Sequence, residues 1–251
     1  MIDLHSHVLP GLDDGAATTA EALALARAAV AAGITLVAGT PHVSHDYPTT
    51  PEAMEAALGE LRQVVAAEGL ELEVRGGGEL DLEWLAAAPL ERIRRFGLAG
   101  NPAWVLVEIP YVGWPLRIDD ELFRLRAAGI TAVLAHPERN PEVQARPTLL
   151  RPLVEAGALV QLTAASLDGR QGPRAAETAL GLVRSGCAHL IASDAHSPTL
   201  RGFDLATAAS RLGDPALAEW LVRDVPEAIV SGSPLPERRA SARRRIWSRR
   251  S

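Results

Sequence analysis

The chain has 251 residues, 47% hydrophobic and 22% charged but only 4% aromatic, a balance that excludes a disordered or fibrous protein and supplies a full globular core. The net charge of −6 is unevenly spread: residues 237–251 hold seven Arg and one Glu, a local +6, which leaves −12 on residues 1–236. So acidic a body argues against a nucleic-acid partner, and the single cysteine, Cys187, rules out an internal disulfide framework.

In chain order, short Val-, Ile- and Leu-rich segments alternate with Ala-, Leu-, Glu- and Arg-rich runs. The first kind read as buried parallel strands: Ile2–His5, Thr35–Thr40, Glu71–Gly76, Trp104–Glu108, Thr131–His136, Leu159–Thr163 and His189–Ser193. The second kind have helical spacing over Thr19–Ala32, Pro51–Glu68, Asp119–Ala128, Thr148–Ala156 and Pro173–Ser185. Four of these end at a glycine, Gly33, Gly129, Gly157 and Gly186, just before the next strand. Repeated strand–helix units of this kind predict a single-domain α/β fold, a distorted (β/α)7 barrel over residues 1–236. Residues 237–251 match no packed element and read as an Arg-rich tail. The N-terminus lacks a basic segment followed by an apolar one, so a cytoplasmic protein is expected.

Polar residues gather at the strand ends. The first strand ends in Asp3-Leu4-His5-Ser6-His7 and the second in Thr40-Pro41-His42. Glu79 follows the third, Glu108 closes the fourth, His136 closes the fifth, and the seventh runs into Ser193-Asp194-Ala195-His196. Six of seven predicted strands thus bring a potential metal ligand to the face where such barrels place their chemistry. His5 and His7 lie two apart on an extended strand, so both side chains point the same way and can share one cation. A lone histidine is most often structural; six converging strand ends are not explained that way. A mixed His/Asp/Glu set suits Zn, Mn, Fe or Co better than Ca or Mg.

Other chemistries fail on the residues. A cysteine phosphatase needs an arginine six positions after its nucleophile, where this chain has Ser193 after Cys187. There is no G-x-S-x-G elbow, and with no lysine anywhere there is neither a P-loop nor a carboxylated-lysine metal bridge.

The opening MIDLHSHVLPGLDDG, TPH at 40–42, AHPERN at 135–140 and SDAH at 193–196 resemble the polymerase and histidinol phosphatase (PHP) superfamily. Within it, HVLPGLDDG and AHPERN are similar to bacterial capsule and exopolysaccharide tyrosine phosphatases of CpsB/CapC type, over roughly residues 1–235. The resemblance implies two or three divalent metals: one on His5, His7, Glu79 and Asp194, a second on Glu79, Glu108 and His136, a third on Asp14, His42 and His196. Asp13 is expected beside a ligand histidine, and Val43 stands where relatives often carry a further histidine; His45 is a weaker candidate and His189 a structural one.

The same resemblance implies hydrolysis of phosphotyrosine by a metal-activated water. Arg139 is the candidate phosphate clamp, because a guanidinium fork matches phosphoryl oxygens, with Arg201 a second candidate. An ion pair of Arg139 with Glu138 or Asp14 is the competing reading. Tyr47, Tyr111 and Trp114 are either stacking surfaces for an aromatic substrate or ordinary loop packing. The expected substrate is a phosphotyrosine protein, the tail of a membrane-bound tyrosine kinase controlling capsule or exopolysaccharide synthesis. Competing functions are a small-molecule phosphatase, such as one for histidinol phosphate, and a kinase-binding regulatory module. The Arg-rich tail is expected either to touch anionic membrane or to remain solvated, and an oligomer is allowed.

Overall fold

The computed structural model describes residues 1–238. Nine strand segments appear: β1 (Ile2–Ser6), β2 (Leu36–Gly39), β3 (His42–Val43), β4 (Glu73–Gly76), β5 (Glu79–Asp81), β6 (Trp104–Glu108), β7 (Thr131–Ala135), β8 (Leu159–Thr163) and β9 (Leu190–Ala192). They form two parallel sheets, β1-β2-β4 and β3-β5-β6-β7-β8-β9.

The extra segments come from two interruptions. Between β2 and β3 the chain passes through Thr40-Pro41, and between β4 and β5 through Gly77-Gly78. Proline has no N–H for a ladder, so the pairing of the first breaks at Pro41. The nine segments therefore occupy the seven strand positions expected from the sequence, two of them divided. The ends of the array meet as well. Asp194 N–H donates to His5 O (2.9 Å), His7 N–H donates to Ala195 O (2.8 Å), and Ser6 bridges Ala195 in parallel. The protein is an α/β fold with parallel strands in chain order.

Helices over Thr19–Ala31, Pro51–Ala67, Ile118–Ala127 and Pro173–Ser185 match the expected runs to within a residue or so. The first is capped by the Thr18 hydroxyl, which accepts from Glu21 N–H, and buries Ala22, Leu25, Ala26 and Ala29 one turn apart on the sheet-facing side. The helix expected over Thr148–Ala156 is shorter: Pro147–Leu149 forms a 3-10 turn, and the α-helix spans only Leu150–Glu155. Gly186 has φ 82° and closes its helix in the left-handed conformation.

The expected tail begins within the described residues. Arg238 donates to Val183 O (2.7 Å) in the last turn of helix Pro173–Ser185, where a cation complements the helix dipole. The rest of the tail, 239–251, lies outside the described residues.

Candidate metal centre

The loop after β1 is the first device that builds the site. Asp13 accepts from Gly15 N–H (3.0 Å) and His42 N–H (2.9 Å), and its Oδ2 lies 2.6 Å from His7 Nδ1. Ala16 N–H returns to His7 O (3.1 Å). At Gly15 a Cβ would sit 2.2 Å from that same carbonyl oxygen, so the loop can fold back onto His7 only with glycine there. The Asp-Asp-Gly of the opening motif is thereby explained: Asp13 orients His7, Asp14 reaches the site rim, and Gly15 lets the backbone pass.

All nine candidate ligands fall into four overlapping groups whose ligand atoms lie within 4.8 Å of one another. These are His7, Asp14, His42 and His196; His5, Glu79 and His136; His5, His7 and Asp194; and His42, Glu79 and Glu108. Glu79 is central. Its Oε1 lies 2.8 Å from His136 Nε2, and its Oε2 lies 3.2 Å from His5 Nε2, 3.4 Å from His7 Nε2 and 3.1 Å from His42 Nδ1. The groups cut across the three expected sets: Glu108 lies with His42 (3.5 Å) and Glu79, His136 with His5 and Glu79, and His7 with Asp14, His42 and His196 as well as with His5 and Asp194.

The arrangement fits divalent transition metals on its own chemistry. Gln161 Oε1 accepts from His136 N–H (3.3 Å), which fixes which end of the amide faces this way. The same oxygen lies 2.9 Å from His5 Nδ1, so Nδ1 must donate and Nε2 is the nitrogen left to bind a cation, a metal ion or a proton. His7 Nδ1 likewise donates to Asp13, which turns its Nε2 inward. The two Nε2 atoms then face each other at 3.3 Å, a contact that needs a proton between them or a cation against both. Glu79 Oε2, Glu108 Oε1 and His196 Nε2, all buried, have no hydrogen-bond partner. Buried acceptors and lone pairs aimed into one space are the mark of a metal centre.

The electrostatics call for positive charge here. Burial opposes a charge on His5, yet the Glu79 and Asp194 carboxylates outweigh it and raise the pKa to about 9, so without a metal ion a proton takes up that demand. Burial raises Glu79 and Asp194 too, but the histidines around them win and keep both far below the usual carboxylate range. Burial and the neighbouring His7 push His196 down to about 4, so its ring stays neutral.

Two candidate ligands hold unusual backbones. His136 (φ 33°) and Asp194 (φ 55°) are left-handed at the ends of β7 and β9, a strain of about 1–3 kcal/mol each. Gln161 on His136 N–H and His5 O on Asp194 N–H hold them there.

Both candidate arginines sit at the rim and converge on one atom. Arg139 Nη1 lies 3.0 Å and Arg201 Nη2 2.9 Å from Asp194 Oδ2, while Asp194 Oδ1 faces His5 and His7 at 3.5 and 3.3 Å. Arg139 is therefore paired with Asp194 and not with Glu138 or Asp14. Glu138 is fully buried elsewhere and accepts from Thr163 N–H (2.9 Å). Tyr47 stacks on His42 (5.4 Å between centroids) and Tyr111 on His136 (5.8 Å), whereas Trp114 packs against the core. His45 is exposed and joins none of the four groups. His189 accepts from Val160 N–H (3.1 Å) on the strand-ladder side, a structural role.

Sequence reasoning missed Gln161, Asn140 and the pair Asp3–Ser193. Asp3 accepts from Ser193 N–H (3.0 Å) and Ser193 Oγ (2.5 Å), locking β1 to the end of β9, and burial lifts its pKa to about 6 against those bonds. A glutamine inside an otherwise apolar strand, Leu159–Thr163, was the available signal for Gln161.

The chain is 36% identical to the tyrosine-protein phosphatase YwqE of Bacillus subtilis over 204 residues, covering 81% of this chain and 80% of that protein. It is 33% identical to CapC of Staphylococcus aureus, covering 82% of this chain and 80% of that protein. A solved structure from work on YwqE of B. subtilis and CpsB of Streptococcus pneumoniae, described as metal-dependent tyrosine phosphatases, superposes with a TM-score of 0.83. It shares 32% identity over 95% of this chain and 100% of its own. The family model described as capsular polysaccharide synthesis, CpsB/CapC, matches residues 1–227, and the chain belongs to that family.

Proposed function

We propose that this protein is a metal-dependent protein-tyrosine phosphatase, a phosphoric monoester hydrolase. The observation that carries the reading is the convergence of five histidines and four carboxylates beneath two rim arginines, in a chain related to proteins named tyrosine phosphatases. Bound by His5, His7, Asp14, His42, Glu79, Glu108, His136, Asp194 and His196, two or three divalent ions would supply a water acidified towards neutrality and offset phosphoryl charge.

The chain's own residues do the rest. Asp13 and Gln161 fix the His7 and His5 tautomers so that Nε2 of each points inward. Arg139 and Arg201, partly open to solvent on the outer side of Asp194, bind phosphoryl oxygens and stabilise the charge that builds on them. A tyrosine phenolate departs with a pKa near 10, so a strong general acid is less necessary than for an alkyl phosphate.

We assign residues 1–236 to the phosphatase domain and 237–251 to an appended basic segment. The proposed substrate is a phosphotyrosine protein, the tail of a membrane-bound kinase in capsule or exopolysaccharide synthesis, met from the cytoplasm. Manganese, iron, zinc and cobalt all suit the donor set. No helix among the described residues is long and apolar enough to cross a membrane. The test is a comparison of turnover on a phosphotyrosine peptide and on histidinol phosphate. Preference for the peptide supports the reading; preference for histidinol phosphate would replace it with a small-molecule phosphatase.

A further inference from the structure

The loop after β6, Ile109–Arg117, carries Tyr111 over the centre. Its ring lies nearly parallel to that of His136, with 14° between planes, and the Arg139 guanidinium sits over it with the central carbon 4.8 Å from the ring centroid. Tyr111 thus touches a candidate ligand and the candidate phosphate clamp at once. The loop that carries it is strapped down from the same segment: Asn140 Nδ2 donates to Pro110 O (2.6 Å) and Gly113 O (2.9 Å). Asn140 Oδ1 meanwhile caps helix Pro141–Ala145, accepting from Glu142 and Val143 N–H, so the strap is anchored on a regular element.

We infer that Tyr111 is a positioning residue for the phosphate clamp, acting through its aromatic face on Arg139. A free arginine has many rotamers, and ordering one on substrate binding costs entropy; a ring face beneath the guanidinium limits it to one plane before substrate arrives. The Asp194 contact fixes one nitrogen, and the ring contact fixes the tilt. Together they leave the remaining N–H groups of the fork directed away from both. The ring makes the contact, so the hydroxyl is dispensable. The inference deepens the phosphatase reading and rests on it.

The experiment is a double-mutant cycle on metal-loaded protein with an aryl phosphate, reading kcat and KM separately. Tyr111→Leu lowers kcat/KM about three- to fivefold, in line with a cation–π contact partly open to solvent, while Tyr111→Phe stays within about twofold of wild type. In an Arg139→Ala background, Tyr111→Leu changes kcat/KM by less than about twofold. Metal content is measured in every variant and is expected to be unchanged. Equal, independent losses in both backgrounds would overturn the inference, as would metal loss in Tyr111→Leu, which would make the ring a support for His136. A wild-type protein inactive on every phosphomonoester would instead overturn the functional reading beneath it.

Discussion

Nε2 of His5 and Nε2 of His7 stand 3.3 Å apart, and the other nitrogen of each ring is already committed, to Gln161 and to Asp13. Two imidazoles in that relation present their Nε2 atoms to one point, where a cation can bind both. Their orientation is set by groups that never approach the substrate, so the positions of Gln161 and Asp13 matter as much as those of the rings.

Gln161→Leu should therefore weaken metal binding without unfolding the chain, because leucine fills the volume but cannot hold the His5 tautomer. Loss of a partner of this kind lowers affinity about ten- to a hundredfold. Titration of metal-free protein with Mn or Zn checks it. Unchanged affinity would mean that His5 keeps its orientation without the amide.

Arg139→Ala should reduce turnover on phosphotyrosine peptide by about two orders of magnitude, the cost of one charged contact to the reacting group. Metal content should stay the same, because the arginines use Oδ2 of Asp194 and leave Oδ1 facing His5 and His7. Arg201→Ala should behave alike with a smaller loss, its side chain being the more exposed of the two at 38% against 20%. Elemental analysis showing metal loss in either variant would make that arginine a support for Asp194.

His189 gives a pH dependence that is independent of the metal centre. Burial, with Arg238 nearby, lowers its pKa from 6.5 to about 4, and its Nδ1 accepts from Val160 N–H, which only the neutral ring can do. A depressed histidine contributes stability that is full above about 6.5 and is lost as pH falls towards 4. Asn at this position keeps an acceptor but does not titrate. The drop in Tm between pH 7 and pH 5 should be smaller in His189→Asn than in wild type, measured in chelator for both. An equal drop would show that acid sensitivity arises elsewhere.

Much of this site could be read from the sequence because its donors sit at strand ends, and strands announce themselves by short apolar runs. Asp14 was the exception among the ligands, reached only through the resemblance, since a loop has no period to read. What stayed hidden depends on the third dimension. The Gln161 contact joins β8 to β1 across 156 positions, and nothing local in Leu159–Thr163 says which residue it meets. Asn140 looked like part of a motif, but its strap on the Tyr111 loop appears only when both are folded. The grouping of Glu108 with His42 likewise reflects the break at Thr40-Pro41, which shifts β3 into the second sheet beside β5.

The central claim is that the nine converging donors hold catalytic metal. Its most direct measurement is elemental analysis alongside phosphotyrosine-peptide turnover, on purified protein, on chelated protein and after metal is restored, with Glu79→Ala in parallel. The account predicts two or three transition-metal ions per chain, activity lost on chelation and regained on addition of metal, and both metal and activity largely lost in Glu79→Ala, since that side chain borders His5, His7, His42 and His136 at once. Full turnover in chelator by protein shown to carry no metal would contradict it.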